Sequence, residues 1–235
     1  MSPGAAPGRL LIVAVDGPSA AGKGTLARAI ALHYDLAYLD TGLLYRAVGA
    51  RLLRAGRDPG DPAAAIEAAQ HIDFAELSRK NLRDDAVAQA ASRVAVNAGV
   101  RKALLGIQRN FAADPPAGPQ GSVLGAVIDG RDIGTVVCPE APVKFFVTAS
   151  LEARARRRHQ ELIERYGKSI YARVLQDMRE RDERDRNRAV SPLTPAADAL
   201  VIDTTALTPE AMFAIALDHI KRCWQGAARQ SEMGA

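Results

Sequence analysis

The chain has little from which to build a redox, metal or disulfide centre. Its 235 residues include two cysteines, Cys138 and Cys223, too few for a disulfide framework or a zinc site, and both read as reduced structural thiols. The four histidines, His33, His71, His159 and His219, show no ligand spacing. Aromatic residues make up 5% of the chain and are not interleaved with its arginines, which argues against a stacking platform for RNA. No apolar run approaches the roughly eighteen residues of a membrane span, and Met1 to Gly8 is a small-residue tail without a basic region feeding an apolar one. Neither a span nor a signal peptide is expected, so the expected compartment is the cytoplasm. A Ser-His-Asp set, a nucleophilic cysteine context and the Asn-Lys-x-Asp signature of guanine switches are missing as well.

The net charge of +4 is not spread evenly. Arg154 to Arg188 holds eleven arginines and one lysine against seven carboxylates, an excess of +5 that leaves the remainder at −1. Arginine is the side chain best shaped for bidentate phosphate contact, so a concentrated arginine segment suits an enzyme that handles phosphates and needs no nucleic acid to explain it.

What is present begins with Leu11-Ile-Val-Ala-Val-Asp16, an apolar strand, followed by Gly17-Pro18-Ser19-Ala20-Ala21-Gly22-Lys23-Gly24-Thr25 and then a helical pattern. A glycine-framed loop running into a helix presents backbone N–H groups and the helix dipole to an anion, and Lys23 adds an ammonium group at the right offset. The loop reads as the cradle of a nucleoside triphosphate. The usual pattern places Ser or Thr directly after the lysine as a magnesium ligand; here Gly24 intervenes and the hydroxyl arrives at Thr25.

Five short aliphatic strands are expected, over 10–15, 36–39, 123–128, 143–147 and 200–203, alternating with helices. They predict one α/β domain with a doubly wound parallel sheet and a site at the carboxyl ends of its strands. Core segments at 10–61 and 122–224 are interrupted by an Ala-rich insertion at about 62–121 and a lid at about 165–190, with tails at 1–9 and 225–235 read as disordered. Helical spacing puts Leu26, Ile30 and Leu32 on the buried side of the first helix, and Ala211, Ile215, Leu217 and Ile220 on that of the last.

Three loops converge on the expected site. Asp40-Thr41-Gly42 with Tyr45 and Arg46 closes the second strand; Asp129-Gly-Arg131-Asp132-Ile-Gly134 closes the third; the arginine segment supplies the rest. Asp129 has the position of a strand-end magnesium ligand, Arg131 would reach an acceptor phosphate, and Asp132 reads either as an acceptor for an exocyclic amine or as a turn cap. Arg181, Asp185 and Arg188 share one helix face, and Arg154 and Arg158 share another. Loops of arginine and carboxylate without a base suit an acceptor that is itself a phosphate: its second pKa of about 6 leaves it largely dianionic and nucleophilic near neutrality. Another small-molecule kinase, for a different nucleotide or a shikimate-like acceptor, and a non-enzymatic nucleotide- or RNA-binding protein are the alternatives.

Gly17 to Thr25, Asp40-Thr-Gly-Leu-Leu-Tyr-Arg46, Ala91-Ser92, Asp129 to Thr135 and Arg181-Asp-Glu-Arg-Asp-Arg-Asn-Arg188, in that order, resemble the bacterial cytidylate kinases over about 10–220. The resemblance implies transfer of the γ-phosphoryl group of ATP to CMP or dCMP with magnesium, by a cytoplasmic and usually monomeric enzyme binding no membrane or nucleic acid. It implies catalytic roles for Lys23, Arg131, Arg181 and Arg188, and ATP contacts from the loop together with Arg154 and Arg158. Cytosine would meet Ser92, Arg101 and Asp132; the acceptor phosphate Ser19, Arg46 and Arg131; Tyr45, Arg181, Asp185 and Arg188 would line ribose and phosphate, beside Thr41. Magnesium would sit near Asp129 and Thr25. The stretch 71–85 looks shorter than the family's usual insertion and shows no hairpin, so a mostly helical insertion is expected.

Overall fold

The computed structural model describes residues 10–78, 80–117 and 124–233. Among them five parallel strands form a single sheet in the order β2-β3-β1-β4-β5: β1 (Leu11–Asp16), β2 (Ala37–Asp40), β3 (Gly125–Asp129), β4 (Val143–Thr148) and β5 (Leu200–Asp203). Their near-continuous Val, Ile and Ala content suits strands covered on both faces. One face packs Val13, Val15, Val127, Val143 and Phe145 against α1 (Lys23–Tyr34) and α8 (Pro209–Met233); the other packs Ala14, Leu39, Ala126 and Ile128 around Ile133.

The strands begin within two residues of expectation; position 123, the expected start of β3, lies outside the described residues, as does the expected tail at 1–9. The closing helix runs on to Met233, into the stretch at 225–235 read as a disordered tail. Two of the faces differ from expectation. Leu32 is 88% exposed, and α8 buries Met212, Ala216, Ile220 and Trp224 while Ile215 is 40% exposed. The buried set follows i, i+4 spacing around Met212, one position from the stripe that Ala211 and Ile215 suggest.

Between β2 and β3 lie α2 (Thr41–Arg54), α3 (Pro62–Gln70), two 3₁₀ turns (Phe74–Ser78, Lys80–Arg83), α4 (Asp85–Val94) and α5 (Ala98–Ala113). Asp61 and Asn97 cap α3 and α5, each accepting from two backbone N–H groups in the first turn. No strand occurs among the described residues of this stretch, in line with a helical insertion. After β4 come α6 (Leu151–Tyr166), started by the Ser150 cap and stopped by left-handed Gly167, and α7 (Tyr171–Asn187).

The register brings the strand ends together. Asp129 is level with Val15 on one side and with Asp40 on the other. Asp16, Asp40 and Asp129 therefore stand at adjacent carboxyl ends, where an open α/β sheet places its ligand.

Candidate active site

The donor loop leaves β1 at Gly17, whose φ of +143° and approach to the Val147 carbonyl leave no room for a side chain: a Cβ there would lie 1.9 Å from that oxygen. The chain then turns through Gly22 into α1, at the first position of which stands Lys23. Lys23 is buried; its Nζ donates to the Pro18 carbonyl at 3.2 Å and lies 3.7 Å from Asp129 Oδ1. Burial, with the Arg131 charge behind it, pushes the ammonium down to about 8, against the pull of Asp129. Burial likewise pushes the Asp129 carboxyl up, and Lys23 opposes that shift.

Position 24 borders the same carboxylate. A Cβ at Gly24 would come within 3.3 Å of Asp129 Oδ2 and of the Arg28 guanidinium, so a Ser or Thr here would crowd the place a strand-end carboxylate occupies. Thr25 is one residue beyond, exposed on α1 and away from the cavity.

A cavity of about 290 Å³ opens from this loop toward the insertion and is lined by residues from every expected loop. Ser19, Ala20, Lys23 and Gly24 line its end at the glycine-framed loop; Thr41, Tyr45, Arg46, Ser92, Arg101, Asp129, Arg131, Asp132, Arg158, Arg181, Asp185 and Arg188 are among the residues lining the rest. Gly17, Pro18, Ala21 and Gly22 shape the loop behind it without lining it, and Ala21 is held through its carbonyl by the Thr204 hydroxyl at 2.8 Å.

The middle of the cavity is crowded with guanidinium groups. Arg131 Nε donates to Asp185 at 3.1 Å, Arg181 Nη1 to the Ser19 hydroxyl at 3.4 Å, and Arg46 to the Leu82 carbonyl at 2.8 Å. Burial and then the Arg131 charge push Arg181 down to about 10, and burial also lowers Arg46 and Arg188. Asp185 is held below the usual carboxylate range because Arg131, Arg181 and Arg188 outweigh its burial. Nε of Arg181 and Nη2 of Arg188 are buried with no hydrogen-bond partner among the described residues. Clustered, desolvated cations with free N–H groups are what a phosphate dianion satisfies.

At the far end Asp132 accepts from Arg101, whose guanidinium lies 5.5 Å from the Tyr45 ring centroid. The Asp132 side chain does not cap the short π-type turn that follows it (Ile133–Val137), nor does the Asp40 side chain cap α2, which removes the turn-cap reading of Asp132. Thr41 and Ser92 are turned to neighbours: Thr41 donates to the Asp129 carbonyl at 2.9 Å, and Ser92 accepts from Arg184 at 3.1 Å.

Arg154 is placed differently from its expected ATP contact. It is 2% exposed and saturated, bidentate to Asp182 and donating to the Ala149 and Ser19 carbonyls, so it braces the donor loop from behind. Arg158 does line the cavity and pairs with Asp85 at 3.1 Å.

A sequence model of cytidylate kinase matches residues 13–222. A cytidylate kinase of Paramagnetospirillum magneticum is 60% identical over 209 residues, 89% of this chain and 97% of that one. Another, of Azorhizobium caulinodans, is 53% identical over 212 residues, 90% of this chain and 98% of that one. The chain belongs to the cytidylate kinase family. An uncharacterized protein of Eubacterium ventriosum shares the fold, with a TM-score of 0.50 at 16% identity over 90% of this chain and 98% of that one.

Within this cytidylate kinase framework three contributors escaped sequence reasoning. Asp182 pairs with Arg154, and Arg184 reaches Ser92, although both read as part of a charged helix. Asp16 looked like the last residue of an apolar strand, yet it is 4% exposed and accepts from the Ile133 and Gly134 N–H groups, each at 2.8 Å. Its partners lie 117 and 118 residues away, so no local spacing could have marked it.

Proposed function

We propose that this chain transfers the γ-phosphoryl group of ATP to CMP and dCMP by direct in-line displacement. The observation that carries the reading is one cavity joining a lysine-bearing phosphate loop, a cluster of arginines and a carboxylate–arginine pair in that order. Membership of the cytidylate kinase family supports the same substrates.

Backbone N–H groups of the loop and Lys23 hold the donor phosphates. Arg46, Arg131, Arg181 and Arg188 gather the acceptor phosphate and neutralise two anions that would otherwise repel. The acceptor is its own nucleophile, since a phosphate monoester with a second pKa of about 6 is largely dianionic near neutrality. Asp185 keeps Arg131 aimed, and Ser19, in contact with Arg181, stands where donor and acceptor meet. Asp132 accepts the exocyclic amine of cytosine on the oxygen that Arg101 leaves free; the carbonyl of uracil there would face a carboxylate.

Among the described residues no group of three or more His, Cys, Asp or Glu side chains converges to hold a metal alone. Magnesium typically takes one or two carboxylates and completes its shell with substrate phosphates and water, and Asp129 beside Gly24 fits that donor set. Asp129 would hold magnesium, which when bound would supply positive charge against the donor phosphates. The exposed Thr25 would reach it only through water.

In this reading the lid, expected at about 165–190, is widened to the α6–α7 hairpin, residues 62–121 are the acceptor-binding insertion, and the enzyme is a cytoplasmic monomer. No helix among the described residues is long and apolar enough to cross a membrane. Of the arginine segment, Arg154 and Arg188 are buried and Arg158, Arg181 and Arg188 line the cavity, while Arg156, Arg165, Arg173, Arg179 and Arg186 face solvent. The test is a panel of nucleoside monophosphates with ATP and magnesium, in which CMP and dCMP should be the preferred acceptors.

A further inference from the structure

Strand β1 grips the loop between β3 and the π-type turn at two points. The Val15 carbonyl accepts from Gly130 N–H at 2.9 Å. One residue on, the two oxygens of Asp16 accept from Ile133 and Gly134 N–H, each at 2.8 Å. Arg131 and Asp132, the side chains read as holding acceptor phosphate and base, lie between these grips. Immediately after Asp16 comes Gly17, where the donor loop departs under a contact that admits no side chain.

A carboxylate in this place is costly for the fold. It is 4% exposed, has no cation in direct contact among its hydrogen-bond partners, and lies near the negative charges of Asp132 and Asp129. Two backbone N–H groups are its compensation. Buried polar groups that work against stability are expected where geometry serves function.

We propose that Asp16 is the positioning residue of the base-reading turn: by bridging Ile133 and Gly134 it sets the direction of the Asp132 carboxylate relative to the donor loop, and the preference for cytosine over uracil depends on it. The inference rests on the reading of Asp132 as the group that meets the base. Asp16 touches neither substrate; it acts through the backbone immediately after Asp132. An amide in its place would accept one of the two N–H groups and point its own NH₂ at the other, releasing half of the grip.

The experiment compares kcat/KM for CMP and for UMP in the full-length enzyme, Asp16→Asn, Asp16→Glu, Asp132→Asn and the Asp16→Asn/Asp132→Asn double variant, with ATP saturating. Taking the CMP-to-UMP ratio cancels the phosphate titration and any general loss of active enzyme. Asp132→Asn should collapse the ratio by about a hundredfold or more, as expected when a site loses a matched hydrogen bond. Asp16→Asn should lower it about tenfold, mainly through KM for CMP, and should lower it no further in the Asp132→Asn background, because the two act as one unit. Asp16→Glu, which keeps the charge and displaces it by one methylene, should show the same loss and serves if the amide variant fails to fold. An unchanged ratio in Asp16→Asn and Asp16→Glu, or equal losses in Asp132-intact and Asp132→Asn enzymes, would overturn the positioning role. An unchanged ratio in Asp132→Asn itself would overturn the reading of Asp132, and with it this inference.

Discussion

Arg154 and Asp182 face each other across the α6–α7 hairpin as a bidentate pair, 3.0 and 2.6 Å apart and both buried. The same guanidinium donates to the Ser19 carbonyl at 3.3 Å, so one side chain joins both helices of the hairpin to the glycine-framed loop. Removing Asp182 leaves a buried guanidinium without a carboxylate, and removing Arg154 leaves buried Asp182 with only the exposed Arg186, 3.7 Å away; breaking a buried pair typically costs about 3–5 kcal/mol. Arg154→Met should therefore lower unfolding free energy by that order, and Arg154→Met/Asp182→Leu should recover much of the loss. Urea denaturation of the two variants checks this; equal stabilities for Arg154→Met and the parent would show that the pair is idle.

Arg188 follows α7, carries a buried Nη2 without a partner among the described residues and lines the cavity. Its contribution is expected where charge accumulates between the substrates. Arg188→Ala should reduce kcat by roughly a hundredfold or more while KM for ATP changes by about twofold or less. Steady-state kinetics with ATP varied at saturating CMP decides it, and unchanged turnover removes Arg188 from the mechanism.

Asp16 makes the stability depend on pH in a recognisable direction. Burial raises its carboxyl from 3.8 to about 6, so the folded chain holds this proton more tightly than the unfolded one. The contribution to stability is complete below the unfolded value and is lost as pH rises through about 6, a cost on the order of 3 kcal/mol at neutrality. The difference in unfolding free energy between the parent and Asp16→Asn should fall by that order between about pH 4 and pH 6.5, then stay level. A flat difference across that range would contradict the raised pKa.

The start of α4 and helix α6 touch through exposed charges. Asp85 accepts from Arg158, and Asp84 from Arg165 and from the Tyr166 hydroxyl, all at 3.1 Å. Exposed pairs of this kind contribute about 0–1 kcal/mol each, so Asp84→Ala/Asp85→Ala should leave the melting temperature within a few degrees. Its effect belongs on closure: KM for CMP should rise about two- to fivefold, and the difference should shrink in high salt as the parent's pairs are screened. A salt-independent change would assign the effect to something other than these charges.

The parts of this architecture that were legible in the sequence are local. The strand, glycine loop and helix at 11–34 carry their own signal, as do the strand ends Asp40 and Asp129 and the common face of Arg181, Asp185 and Arg188. Burial across the sheet is harder to read. Helix α8 offers two neighbouring stripes of similar apolar content, and packing chose Met212 and Ala216 over Ala211 and Ile215. Arg154 and Arg158 lie one helical turn apart and looked equivalent. Asp182, on the adjacent helix, turns the first into a buried strut and leaves the second on the cavity. The 3₁₀ turns over 74–78 and 80–83 have no periodicity to detect, and Asp16 is defined by partners more than a hundred residues distant.

In the function proposed above, a phosphate donor loop, an arginine cluster and a base-reading carboxylate form one site for a cytosine nucleotide. The most direct measurement is initial-rate phosphorylation of CMP, dCMP, UMP, AMP and GMP by the purified chain with ATP and magnesium. CMP and dCMP should be phosphorylated with kcat/KM exceeding that for UMP by several orders of magnitude, with the purine nucleotides lower still. Equal rates on CMP and UMP, or a preferred acceptor other than a cytosine nucleotide, would contradict the assignment.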